Sequence, residues 1–331
     1  MGDWRGVLAG EAAGRAARWL AVTATAGMFV VLIMGATVTN TGSAQGCGRS
    51  WPLCHGQFIP SFAVSTAIEF SHRAVTGIET VLILGLALLV WLGWRGRREA
   101  RILVPAMVFF LVLQAGLGAW AVLYPQLPEV LALHFGVSLT AFASVLLTAV
   151  FLLDLRGAEV LRDRPIPVGL RRLVWGAFAY TYLLVYLGAY VSHTNASLAC
   201  TGWPLCNGQV FPGFSGPVGI VFAHRLAALV GVGLVAWLAR WTWRLRAERP
   251  DLARGAALSL ILILAQALSG ALVVLLRLDL FSTLLHAGLV SLLFGGLSYL
   301  CYHILPRPTP VVATEPSAEP AVVLGAGARP R

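Results

Sequence analysis

Lysine is absent from this sequence: all 24 basic residues are arginine, set against 14 acidic ones, and charged residues make up only 11% of the 331. So little charge in a chain that is 58% hydrophobic excludes an ordinary soluble domain and fits a polytopic membrane protein. Long polar stretches are missing as well. Nothing between the apolar runs is long enough for a soluble catalytic domain, so any site lies within the membrane or at its face. Cysteine is scarce and grouped: Cys47 with Cys54, Cys200 with Cys206, and Cys301 alone, a buried thiol by its surroundings.

A bilayer core needs about 20 apolar residues per helix. Runs of that length fall near 18–38, 69–93, 102–123, 130–153, 173–192, 219–239, 255–276 and 281–304. They predict eight spanning helices. The first run follows arginines, as a signal peptide would, but it is long for that role and belongs to a repeated unit. The N-terminus, 95–101, 154–172, 240–254 and the tail hold 20 of the 24 arginines. Alternate connections hold only Arg49 and Arg277, so the positive-inside rule puts both termini in the cytoplasm. The basic excess is therefore topology, with lipid as its partner and no nucleic acid. Both cysteine pairs then face the oxidising side, where intraloop disulfides Cys47–Cys54 and Cys200–Cys206 are expected. The Pro/Ala-rich stretch 306–331 reads as a disordered cytoplasmic tail.

The chain contains itself twice. "CGRSWPLCHGQFIP" (47–60) returns as "CTGWPLCNGQVFP" (200–212), and beyond the loop an offset of 152 relates Trp51 to Trp203, His72 to His224, Gln114 to Gln266 and His134 to His286. Four helices per unit, an even number, give both units the same orientation, as parallel repeats. The organisation expected is a cytoplasmic N-terminus (1–17), an N-terminal four-helix bundle (18–153), a cytoplasmic linker (154–172), a C-terminal four-helix bundle (173–305) and the tail. The fold class is an all-α polytopic membrane protein of two pseudo-symmetric four-helix bundles.

Four histidines are duplicated: His72 and His134, then His224 and His286, 62 residues apart within each unit. Each falls about five residues into an even-numbered predicted helix, at roughly 5–10 Å from the outer surface for a rise of about 1.5 Å per residue. Two imidazoles at one level on co-directional helices suit axial ligation of a flat macrocycle, hence one heme-sized site per unit. Interhelical hydrogen bonding is the bland alternative, and zinc is disfavoured because no further ligand repeats beside each pair. Arg73 and Arg225 follow two of these histidines, where they could pair with propionates or snorkel to headgroups. Gln114 and Gln266 read as helix–helix hydrogen bonders, and His55 and His193 as polar residues of the outer loops. "IEFSHR" (68–73) carries Glu69, whereas "VFAHR" (221–225) has Val221 in its place. Glu69 is either a solvated helix-start acid or a reactive group of the first unit alone.

These motifs, with "LALHFGVSLTAFASVLL", "GAYVSHTNASLACTGWPLC" and "HRLAAL", resemble the bacterial heme A synthases over roughly residues 20–305. The resemblance implies an oxidoreductase of the bacterial cell membrane that converts heme O to heme A. Heme b would be the cofactor, ligated by His224 and His286, with the heme O substrate between His72 and His134 and Glu69 as the essential acid. It also implies contact with heme O synthase and cytochrome oxidase assembly proteins, and an electron acceptor for which a quinone is one option. One ring methyl becomes a formyl group by successive hydroxylations with water-derived oxygen. A carboxylate beside that carbon could stabilise developing positive charge or take a proton. Glu79, seven residues past His72 on a similar face, could extend a proton path. Two other functions stay open here: a bis-histidine diheme carrier, which needs equivalent sites in both units, and a heme-free transporter with a histidine proton relay.

Overall fold

The computed structural model describes residues 11–60, 63–155, 159–162 and 164–305. Among these, eight helices are long and apolar enough to cross a membrane. They are α1 (Glu11–Asn40), α2 (Val64–Trp94), α3 (Arg98–Leu123), α4 (Pro128–Asp154), α5 (Val168–His193), α6 (Gly216–Arg244), α7 (Pro250–Leu275) and α8 (Leu280–His303). A single helical turn, Glu159–Arg162, follows α4. No strand forms among the described residues, and the all-helical, eight-span expectation holds. The helices outrun the apolar stretches because polar and arginine-bearing turns continue them; α6 extends through "RWTWR" to Arg244. Residues 1–10 and the tail 306–331, read above as cytoplasmic, lie outside the described residues.

Helices α1 to α4 close a ring, each packed on the next and α4 returning to α1; α5 to α8 do the same. The rings meet where α4 packs on α5, α1 on α8 and α4 on α8. Under the duplication α1 corresponds to α5 and α4 to α8. Two of these contacts are thus one contact made twice, and the third lies on the relating axis. Helix α4 is the most buried of the eight. Its buried Ala132, Gly136, Ala141, Ala143, Ser144 and Ala149 let neighbours approach closely.

The two ends of the molecule differ. At one end the α1–α2 and α5–α6 loops carry the disulfides Cys47–Cys54 and Cys200–Cys206, as expected. His55-Gly56 and Asn207-Gly208 sit at φ 52° and 74°, and 52° and 80°, the left-handed pair of a type I′ turn. The flanking residues close it reciprocally: Cys54 with Gln57, and Cys206 with Gln209. The tips of both loops therefore have the same backbone, and His55 serves there as a turn residue whose Nε2 meets the Gly46 carbonyl at 2.9 Å. At the arginine end, buried charges tie α4, α7 and α8 together. Arg249, 2% exposed, holds Asp251 through Nε at 3.0 Å and Nη2 at 2.7 Å and donates to the His303 carbonyl. The His303 ring lies between Asp251 (3.1 Å) and Asp154 (3.5 Å).

Candidate functional site

The four duplicated histidines stand near the disulfide end of α2, α4, α6 and α8. The helices begin earlier than their apolar runs, so His72 and His224 are the ninth residues of α2 and α6, and His134 and His286 the seventh of α4 and α8. Their depth is thus about 9–12 Å from the helix starts, slightly more than the sequence suggests. The structure places them in the expected pairs: His72 and His134 stand at similar depth on α2 and α4 of one ring, His224 and His286 on α6 and α8 of the other.

Each imidazole rests on a glycine of the preceding helix. A Cβ placed on Gly35 would lie 3.4 Å from His72 Cε1, on Gly118 3.4 Å from His134 Cε1, on Gly188 2.9 Å from His224 Cε1, and on Gly270 3.2 Å from His286 Cε1. In all four places the glycine is followed by alanine: Gly35-Ala36, Gly118-Ala119, Gly188-Ala189 and Gly270-Ala271. These small residues set the ring positions, and sequence reasoning missed them. The repeated Gly-Ala dipeptide was the available signal.

The second unit holds one histidine more firmly than the first. His286 Nδ1 and Ser269 Oγ are 2.9 Å apart, and Ser269 donates to the Gln266 carbonyl at 2.9 Å. With its hydroxyl proton committed, Ser269 accepts from Nδ1–H, which leaves the lone pair on Nε2. Gln266 Nε2 donates to that lone pair at 3.1 Å, so Gln266 is a helix–helix hydrogen bonder as expected, with the histidine of α8 as its partner. Ser269 is 1% exposed, and its counterpart in the first unit is Leu117, which cannot accept a hydrogen bond.

Glu69 is the converse case. It is 3% exposed, which rules out the solvated helix-start acid. Cys47 N–H donates to its Oε2 at 2.8 Å, and Arg73 pairs with its Oε1. The disulfide loop is pressed onto α2 here: Thr66 donates to the Gly46 carbonyl at 2.7 Å, and any Cβ on Gly46 would collide with the Ser65 carbonyl. Val221 instead joins Val191, Ala196, Cys200 and Cys206 in an apolar cluster. The arginines clamp the loops in both units. Arg73 donates to the Ser50 and Leu53 carbonyls at 2.7 and 2.9 Å; Arg225 donates to those of Pro204, Leu205 and Cys200 at 3.3, 3.2 and 3.1 Å. His193 proves to be the last residue of α5, half-buried, rather than a loop residue.

Two tests bear on whether these pairs fit a heme. The Nδ1 atoms of His72, His134 and His224 are buried without a partner among the described residues, so no side chain of the fold claims these rings at that atom. Among the same residues no group of three His, Cys, Asp or Glu is placed to hold a metal ion, so each pair supplies two imidazoles and no third ligand. That set suits the two axial positions of an iron whose other four ligands come from a macrocycle. The residues fit.

Residues 60–297 match the family described as cytochrome oxidase assembly protein. The chain is 48% identical over 305 residues to the heme A synthase of Symbiobacterium thermophilum, covering 90% of this chain and 99% of that one. It is 42% identical over 312 residues to the heme A synthase of Geobacillus thermodenitrificans (92% and 97%), and 39% identical over 289 to that of Alkalihalophilus pseudofirmus (87% and 97%). With its eight spanning helices and duplicated histidine pairs, the chain belongs to the cytochrome oxidase assembly family that includes the heme A synthases.

Proposed function

We propose that this chain oxidises a ring methyl of heme O to the formyl group of heme A, in the first unit, with water supplying the oxygen. The observation carrying this reading is the asymmetry laid over the duplication: the first histidine pair has a buried acid beside it, Glu69, where the second has Val221, and the second has a serine hydroxyl on a histidine Nδ1, Ser269, where the first has Leu117. His224 and His286 would hold heme b, which when bound would supply one-electron chemistry. Ser269 fixes the His286 tautomer and orientation. His72 and His134 would flank the substrate. Glu69, anchored by Cys47 N–H and Arg73, offers a fixed negative charge to the carbon from which electrons are withdrawn. A propionate near Arg73 or Arg225 would compete with the loop carbonyls for the guanidinium, so substrate entry and loop seating are coupled in this reading.

The charge bias puts both termini in the cytoplasm of a bacterial cell and the disulfide loops outside. Heme O synthase is the natural donor, oxidase assembly proteins the recipients, and a membrane quinone a suitable electron acceptor. The carrier alternative requires two equivalent sites, and the Glu69/Val221 and Ser269/Leu117 differences count against it. The deciding experiment is co-expression with a source of heme O, followed by heme extraction. Heme A or its alcohol intermediate is expected; heme b alone would support the carrier.

A further inference from the structure

Glu79 takes no part in the chemistry above, yet it lies midway along α2, 3% exposed, with Oε1 lacking any partner among the described residues. Helix α1 gives way to it at Gly27, where any Cβ would strike the Glu79 carboxyl. Gly27 is eight residues before Gly35, and Glu79 is seven after His72. Because α1 and α2 run antiparallel, the pairing of glycine with a polar side chain at the histidine level recurs two turns deeper, about 10–12 Å along the same seam.

The second unit shows that packing alone does not call for a carboxyl here. The counterparts of Gly27 and Glu79 are Tyr180 and Gly231, the large and small residues exchanged between the helices. A Cβ on Gly231 would lie 3.5 Å from Tyr180 Cε1, and the Tyr180 hydroxyl donates to the Ala227 carbonyl at 2.8 Å. One large and one small residue fill this level in either order, so the acid in the first unit is a choice of chemistry. Ionisable groups inside a membrane are costly to keep and mark proton or ion pathways.

We propose that Glu79 is a proton-transfer residue of the first unit, taking protons released at the oxidised methyl and passing them toward the arginine end. The proposal rests on the reading that heme O reacts in that unit. In the first two-electron step a C–H bond and a water O–H bond break and a C–O bond forms. Two protons leave, and the electrons pass to the acceptor that the synthase reaction already requires. Glu79 gains a proton at the free Oε1 and gives it up again, with no net change over a turnover. Glu69, whose oxygens are committed to Cys47 and Arg73, holds its charge in place, whereas Glu79 is free to exchange a proton.

The test compares purified wild type, Glu79→Gln, Glu79→Asp and the double variant Gly27→Tyr/Glu79→Gly, which copies the second unit's packing, in cells supplied with heme O. Glu79→Gln is expected to bind heme with an unchanged absorption spectrum while heme A formation falls about 100-fold, the scale of a lost acid–base group. Glu79→Asp should recover most of the rate. The double variant should match wild type in thermal melting and heme content yet be as slow as Glu79→Gln. Infrared difference spectra on reduction should show a carboxyl C=O band in wild type that Glu79→Gln lacks. A wild-type rate in Glu79→Gln or in the double variant, with Glu69→Ala inactive, overturns the role of Glu79 alone. Wild-type rates in Glu69→Ala as well overturn the assignment of the first unit, and this role with it.

Discussion

Ser269 and Leu117 occupy one place in two copies of a fold, and the difference decides how firmly a histidine presents its lone pair. Replacing Ser269 with alanine removes the acceptor from His286 Nδ1–H, which frees the ring to turn and lowers the electron-donating power of Nε2. Such outer partners are worth about 10–100-fold in metal affinity. Ser269→Ala should therefore lose bound heme about that much more readily and show a raised midpoint potential for the heme that remains; an unchanged potential would remove Ser269 from this role. Glu69→Ala should leave heme binding intact and abolish conversion, measured by extracted heme A, because Val221 shows that an apolar residue is compatible with the loop fold. Glu69 was legible in the sequence, since aligning the two copies exposes the missing acid. That Arg73 and Cys47 bind it was not, because the fold of the disulfide loop over α2 leaves no periodic trace. Ser269 was hidden for a related reason: a serine in a membrane helix ordinarily bonds its own backbone, as Ser269 does, and nothing in the sequence shows that its hydroxyl also meets His286.

At the level of helices, apolar run length was enough to find all eight, and arginine placement to sort their ends. What it could not give was the contact between partners, which the glycines set. Glycine is common in membrane helices, so Gly35, Gly118, Gly188 and Gly270 carry meaning only once each is seen under a histidine. Their spacings differ, and the differences predict a graded response. A methyl at Gly188 meets His224 at 2.9 Å and at Gly270 meets His286 at 3.2 Å, whereas at Gly35 and Gly118 the 3.4 Å approach is ordinary contact. Gly188→Ala should therefore displace its histidine most, at an overpacking cost of about 1–3 kcal/mol, and Gly270→Ala less. Gly35→Ala and Gly118→Ala should be nearly silent. Soret absorbance per protein, with the thermal melting point, measures the series; equal effects at all four positions would show that the glycines serve helix packing in general rather than the rings.

For the whole molecule, the problem is joining two rings that each close on themselves. The sequence showed the duplication but not the axis, because which helices meet across it depends on the small residues of α4 as they lie in space. Near the histidine end the interface is packing and a weak link, Tyr186 to the Glu129 carbonyl at 3.4 Å. At the arginine end it is ionic. Arg97 and Glu99 of the first unit correspond to Arg249 and Asp251 of the second, but the environments have diverged. Glu99 meets Arg162 at 3.4 Å, and Arg162 stacks over Tyr302. Asp251 is bidentate to Arg249 and also holds His303, which reaches across to Asp154 of α4. Removing one partner from so enclosed a group leaves Arg249 without its counter-charge, a loss of about 3–5 kcal/mol. Asp251→Asn in the heme-loaded protein should lower the thermal melting point well below that of Glu99→Gln, whose single longer contact is less enclosed. Since α4 and α8 carry His134 and His286 at their far ends, roughly 25–30 Å along the helix from this lock, the absorption spectrum at low temperature should stay that of wild type. A spectrum altered before any unfolding would mean that the lock sets the heme sites directly, and equal melting points in the two variants would mean that packing along α4 and α8, not charge, holds the halves together.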